Sequence, residues 1–186
     1  MTPVPQLIGI SIACWGLFEL GLRVRDIARR KGRAERDRGT RVLIAVAFGV
    51  AFTLAALEHA GAPAPKGAEP LAGVAVLWLG LATRAWAVVA LGASFRTTVE
   101  VDAGQAVVTA GPYRWVRHPS YTGLLLIAAG VGLALGGRLS LAACLVLPPL
   151  AIVHRIRIEE AELERVLGAP YRDYEARTKR LIPGVW

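Results

Sequence analysis

The run GPYRWVRHPSYTG, residues 111–123, gathers two arginines, a histidine and three aromatic rings just before a nearly unbroken apolar stretch. Pro119 disfavours helical geometry at the residue before it and suits the first turn of a helix, so His118 is expected to cap a helix that starts at Pro119. The unpaired N–H groups and positive dipole end of that helix favour an anion and a neutral imidazole beside His118. Arg114 and Arg117 add positive charge, and Gly123 would let a ligand or a second helix approach closely. Such a corner suits a carboxylate. The competing reading is an interfacial belt, with Tyr113, Trp115 and Tyr121 at headgroup level and the arginines snorkelling to water.

Two further groups carry potential chemistry. Glu159 and Glu160 open the acidic cluster EEAELE about one turn past an apolar stretch, where carboxylates would suit a cationic or polyhydroxyl ligand. Arg155 and Glu159 read as an ordinary i,i+4 surface pair. Arg84 sits among apolar residues on both sides, and an arginine at membrane depth must face a protein interior or wet cavity with a partner. Glu19 is the candidate partner, and capture of an anionic group from the lipid side is the alternative role. The sequence lacks a phosphate-binding glycine loop, an HExxH or CxxC pair and a serine elbow, so metal-based or covalent catalysis is not expected. Cys14 and Cys144 both fall in apolar stretches and read as packing residues.

The elements that must position these residues are membrane helices. Of 186 residues 54% are hydrophobic and 19% charged, with mean hydropathy +0.46, more apolar than an ordinary soluble domain. Five spans are expected: 4–22, 42–57, 71–92, 121–136 and 139–153. The last two, separated by Gly137 and Arg138, form a hairpin and are short for a bilayer that needs about 20 helical residues. No Lys or Arg precedes the first span, so a retained anchor is expected there and not a cleaved leader. Residues 23–41 read as a solvated charged connector, 61–70 as a Pro/Gly-rich turn, and 94–119 as an extended or hairpin-like excursion around Asp102, Gly104 and Gly111. Residues 154–168 return to helical periodicity with Gly168 as cap, followed by a short polar helix or turn.

Of the 22 Lys and Arg residues, 19 fall in 23–41, 93–118 and 154–186, on one side of the expected topology. That side should be cytoplasmic, which puts the N-terminus outside and the C-terminus inside. The net charge of +8 therefore reads as topology and attraction to anionic lipid, with no nucleic-acid partner expected.

Taken in order, TRAWAVVALGASF (83–95), GPYRWVRHPSYTG (111–123), EE (159–160), LG (167–168) and YRDYEARTKRLIP (171–183) resemble the isoprenylcysteine carboxyl methyltransferase family and its phospholipid methyltransferase relatives. The resemblance covers residues 83–183. It implies one all-α membrane-embedded methyltransferase domain over 1–186, with two N-terminal spans in 1–70 and a catalytic core in 71–186. It also implies a cytosolic pocket for S-adenosylmethionine lined by Tyr113, His118, Pro119, Tyr121, Gly123, Glu159, Glu160, Tyr171 and Tyr174. The acceptor would be a lipophilic carboxylate, oriented by Arg84, Arg117 or Arg157, in a lipid bilayer and without a metal. A carboxylate is ionised at neutral pH and needs alignment but no base. A phospholipid amine, the alternative acceptor, would need a base such as His118 or a glutamate. A non-catalytic membrane scaffold would bind no cofactor and tolerate His118→Ala.

Overall fold

The computed structural model describes residues 4–29, 39–61, 68–96 and 106–186. Among them are six α-helices, α1 (Val4–Arg29), α2 (Thr40–Gly61), α3 (Glu69–Leu91), α4 (Pro119–Leu135), α5 (Arg138–Leu167) and α6 (Ala169–Arg177), with short 3-10 turns at Gly92–Ser94 and Gly111–Arg114 between α3 and α4. Four of them are long and apolar enough to cross a membrane, over Gln6–Ala28, Thr40–Gly61, Glu69–Leu91 and Arg138–Leu167. The protein is a multi-pass, all-helical integral membrane protein; the described residues contain no strand beyond one bridge between Val116 and Lys179. The fourth expected span, 121–136, is α4, with 17 residues. It is apolar all round and mostly buried, so it sits inside the bundle and need not match the full hydrocarbon width.

Two glycines on α3 meet two on α4. A Cβ at Gly80 would stand 2.6 Å from the Gly123 carbonyl oxygen, and one at Gly130 2.7 Å from that of Gly73. With seven residues between partners on each helix, the antiparallel pair brings backbone onto backbone twice along one seam. Gly123 is therefore a helix-packing glycine, which corrects its expected place in the cofactor pocket: α3, including Arg84 Cβ at 2.8 Å, takes the space a ligand would need.

The turn between α4 and α5 is made by Gly136 and Gly137, with φ of 73° and 95°. Two consecutive side chains of α2 hold it. His59 Nδ1 donates to the Leu135 carbonyl at 2.8 Å, closing the end of α4. Glu58 accepts from Ser140 N at 2.6 Å and Ser140 Oγ at 2.7 Å, closing the start of α5. Both helix ends thus find partners for groups their own ladders leave open. At its other end α2 meets α5 again, where Arg155 Nη1 donates to Thr40 Oγ1 at 2.8 Å.

Two expectations for the connectors change. Residues 23–29 are the last turns of α1 and not loop. Leu22 and Asp26, one turn apart, are buried, and Leu22 packs with Val88 and Phe95; this apolar contact to α3 and its following turn carries the helix beyond the expected end of the span at residue 22. The hairpin expected around Asp102 and Gly104 lies outside the described residues, as do residues 62–67 of the expected Pro/Gly-rich turn. Residues 116–118 pair instead with the C-terminal tail, Arg117 N donating to Lys179 O at 2.7 Å and His118 N to Arg180 O at 2.9 Å. Cys14 and Cys144 are free thiols, the second in the main core.

Candidate active site

His118 caps α4, and Pro119 is the first residue of the helix. Pro119 is fully buried and acts on the site through the backbone; it does not line the cavity described below. The His118 ring stacks on Tyr121, with centroids 5.6 Å apart. Its Nε2 donates to Glu160 Oε1 at 3.2 Å, and Nδ1 lies 4.0 Å from Glu159 Oε1. The anion expected at the cap is thus the protein's own carboxylate.

Glu160 is the hub of this corner. Arg117 Nε donates to its Oε1 at 2.9 Å and Arg180 Nε to its Oε2 at 2.9 Å. Arg117 spends its remaining donors on Thr178 O at 2.6 Å, Glu175 O at 3.1 Å and Glu175 Oε1 at 3.0 Å. Charge-assisted bonds from a guanidinium are the stronger kind and fix geometry. They tie α5, the 111–118 turn and the tail after α6 into one block. Glu160, expected as a cofactor ligand, is not among the residues that line the cavity, and its two oxygens accept from Arg117, His118 and Arg180. Arg117 reaches the cavity wall, yet its donors serve the block; this removes the basis for reading it as the group that orients an acceptor.

Tyr174 fastens the same block from α6, its hydroxyl donating to the Tyr113 carbonyl at 2.7 Å. Burial pushes the Tyr174 hydroxyl up to about 12 and raises Tyr113 and Tyr171 further, Glu159 adding to the effect at Tyr113. All three remain neutral donors at physiological pH.

A cavity of about 430 Å³ opens beside this block, within the size range of small-molecule sites. Its polar chamber is walled by Tyr113, His118, Tyr121, Glu159, Tyr171 and Tyr174. From there it continues between α1 and α2 as an apolar arm past Ile44, Ala45 and Phe48 to Trp15 and Phe52. At the junction stand Arg84, Ser120 and Arg155. The two N-terminal helices are therefore part of the cavity wall, and the pocket is not confined to residues 71–186.

Arg84 is 5% exposed and pairs with Glu19 as expected, Nε donating to Oε1 and Nη2 to Oε2 at 2.8 Å. Its third arm donates to Ser120 Oγ at 2.6 Å. A buried arginine at membrane depth thus finds its counter-charge inside the protein. Arg157, expected as a candidate to orient the acceptor, is exposed and not among the residues that line the cavity; two residues after Arg155, it projects from the opposite side of α5. Arg155 takes the inward position, 3% exposed, with Nε donating to Tyr121 OH at 2.6 Å. Tyr121 in turn donates to Glu159 Oε2 at 2.6 Å. Read from sequence as a surface pair, Arg155 and Glu159 are bridged by Tyr121 within the cavity wall. The signal was present in the helical period, because Arg155 is flanked at i−3 and i+1 by Ile152 and Ile156, both fully buried. Trp115 stays on the outside, 44% exposed, under the Arg114 guanidinium at 3.9 Å and edge-on to Trp86.

Tyr171 brings an unspent hydroxyl to the chamber. Its side chain is 3% exposed, and its buried hydroxyl has no hydrogen-bond partner among the described residues. Buried hydroxyls are seldom left so in a finished structure.

Comparisons with known proteins match this architecture. The family model described as the isoprenylcysteine carboxyl methyltransferase (ICMT) family matches residues 73–165, half of the chain. The protein-S-isoprenylcysteine O-methyltransferase of Tribolium castaneum is 32% identical over 113 residues, 60% of this chain and 40% of that protein. The Arabidopsis thaliana protein-S-isoprenylcysteine O-methyltransferase B is 30% identical over 115 residues, covering 61% of this chain and 58% of its own length. This chain accordingly spans about half the length of these relatives. A solved structure of the eukaryotic intramembrane Ras methyltransferase ICMT superposes with TM-score 0.69 and 24% identity, covering 99% of this chain and 68% of that one; this likeness establishes a shared fold. With the family model matched from the glycine seam of α3 through the acidic turn of α5, the chain belongs to the isoprenylcysteine carboxyl methyltransferase family.

Proposed function

We propose that this chain is a membrane-embedded methyltransferase that moves a methyl group from S-adenosylmethionine to the carboxylate of a lipophilic, isoprenylcysteine-like acceptor. The observation that carries the reading is the cavity's two-part character: a polar chamber of hydroxyls, His118 and Glu159 runs into an apolar arm, with buried arginine side chains where they join. The names of the relatives support the same acceptor class. The positive charge of the connectors supports a chamber and C-terminus on the cytoplasmic side with the N-terminus outside. Because α1 and α2 wall the arm while α4 to α6 wall the chamber, residues 1–186 act as one domain.

The chamber's donors and acceptors fit such a cofactor. Tyr171 offers an unspent hydroxyl, Glu159 a carboxylate for an ammonium or ribose, and His118 and Tyr121 a stacked pair at the mouth of α4. When bound, S-adenosylmethionine supplies an electrophilic methyl on a sulfonium. The protein's part is alignment. An acceptor carboxylate arrives ionised, so no side chain need take a proton. Arg155 and Arg84 stand at the junction to hold it facing the chamber, and the apolar arm keeps its tail out of water, converting an encounter in two dimensions into a fixed approach. Both guanidiniums are held in place there, Arg84 by Glu19 and Ser120 and Arg155 by Tyr121 and Thr40.

Tyr171→Phe is expected to weaken S-adenosylhomocysteine binding about tenfold while leaving thermal stability unchanged, the size of one hydrogen bond to a buried ligand. Calorimetric titration beside a melting curve checks both. Unchanged affinity would remove Tyr171 from the cofactor site. The function itself is tested by incubating purified protein with methyl-labelled S-adenosylmethionine and either an S-farnesyl thioether acid or phosphatidylethanolamine. Base-labile label on the acid supports the ester. Label on the lipid amine overturns the acceptor, and absence of any cofactor binding leaves a scaffold.

A further inference from the structure

Six arginines and two carboxylates, Glu19 and Glu159, stand on the cavity wall among the described residues, which leaves that wall strongly cationic. Three of the arginines have partners that fix their geometry: Arg84 has Glu19 and Ser120, Arg117 has Glu160 and Glu175, and Arg155 has Tyr121 and Thr40. The other three are Arg23, Arg41 and Arg96.

These three come together from separate elements. Arg23 follows Leu22, which packs with Phe95, the residue before Arg96. Arg41 follows Thr40, whose hydroxyl accepts from Arg155. The last turns of α1, the first turn of α2 and the segment after α3 therefore meet at the end of the bundle where α4 begins at His118. Arg23 is exposed there, and Arg41 and Arg96 are half-buried. The preference of positive charge for the cytoplasmic side accounts for many arginines at this end, but not for three of them lining the cavity. Arg157 and Arg172, both exposed, do not line it.

We propose that Arg23, Arg41 and Arg96 act as a charge filter on the acceptor, selecting acids that carry further negative charge beside the methylated carboxylate and turning away acids presented on a basic peptide. This rests on the methyltransferase reading above and adds the charge of the acceptor's polar part. A recess lined by one sign of charge raises capture of the opposite sign by about tenfold to a thousandfold, and a like-charged ligand meets the same field reversed. Charges of this kind act on the encounter more than on the bound state, so the effect falls on kcat/KM and weakens with salt.

The test uses the full-length protein in phosphatidylcholine nanodiscs, whose lipid has no net charge. Three acceptors share one S-farnesyl cysteine with a free carboxylate: the N-acetyl amino acid, and its extensions at the amino end by acetyl-Glu-Glu-Glu or acetyl-Lys-Lys-Lys. At low salt, wild-type kcat/KM should be about tenfold or more higher for the acidic than for the basic peptide, with the N-acetyl acid between them. In about 1 M salt, where the screening length is about 3 Å, the ratio should shrink to within about twofold. Replacing all three arginines, Arg23→Glu with Arg41→Glu and Arg96→Glu, should invert the order at low salt. Arg172→Glu, the same change of charge off the wall, should keep the wild-type order. If the triple variant does not fold, Arg23→Glu decides alone, since its side chain is exposed, and should lower the acidic-to-basic ratio about threefold. Equal kcat/KM for all three acceptors at low salt, a ratio untouched by Arg23→Glu, or an equal shift in Arg172→Glu overturns this inference and leaves the methyltransferase reading standing. Intact cofactor binding without turnover of any of the three overturns both.

Discussion

Arg155→Ala is expected to lower kcat for a thioether-acid acceptor by about a hundredfold or more, the usual effect of removing one preorganised charge from a reacting centre. Affinity for S-adenosylhomocysteine should change by less than about threefold, since the cofactor's chamber keeps its walls. The asymmetry follows from where the residue stands. Arg155 is buried at the junction of chamber and arm, oriented by Tyr121 on one side and Thr40 on the other. Its planar fork is held before any acceptor arrives, so little orientation remains to be imposed on binding. Arg155→Lys should recover only part of the rate, because an ammonium cannot copy the fork. Thr40→Val separates catalysis from architecture: it removes the tie to α2 without touching the guanidinium, and should retain most of the turnover. Single-turnover methyl transfer measured beside equilibrium cofactor binding resolves the two effects. A rate for Arg155→Ala within about fivefold of wild type would mean that another group holds the acceptor.

Glu160→Ala should act on the fold before it acts on chemistry. Three cationic or donor side chains, Arg117, His118 and Arg180, converge on this one carboxylate. Removing it takes one of two carboxylates from the buried Arg117, a loss of about 3 kcal/mol, toward the lower end of the cost of breaking a buried pair because Arg117 keeps Glu175 and Arg180 is partly exposed to solvent. The block that joins α5 to the 111–118 turn and the tail should loosen, and cofactor binding should fall with it. Limited proteolysis should then cut within residues 169–186, which wild-type protein protects. Glu160→Gln retains the size and two of the contacts and should fall between. A melting curve and a proteolysis pattern identical to wild type would show that the carboxylate is dispensable to the block.

The order of elements was readable in the sequence because hydrophobic stretches and their caps are local properties. Pro119 after His118 marks the start of α4, Gly168 marks the end of α5, and the apolar run around Arg84 demanded a counter-charge that Glu19 provides. What sequence left obscure depends on partners distant along the chain. Glu160 and Glu159 are neighbours of identical type, and only the fold separates one as a hub for the tail from the other as a wall of the cavity. Arg155 and Arg157 differ likewise by the side of α5 they occupy. Gly123 offered room to either a ligand or a helix, and α3 took it. The arm escaped notice altogether, because Trp15 and Phe52 are 37 positions apart in the chain and look like ordinary span residues until α1 and α2 are set side by side.

The glycine seam between α3 and α4 bears on how rigidly the candidate site is held. With no side chains interposed at Gly73, Gly80, Gly123 and Gly130, the two helices cannot slide past one another without driving backbone into backbone. The pair works as a single keel. Trp86 is carried by α3, and the turn leading into α4 carries Trp115; the two rings meet where the keel ends. His118, three residues beyond Trp115, is tied by the peptide backbone itself to that same end of the pair.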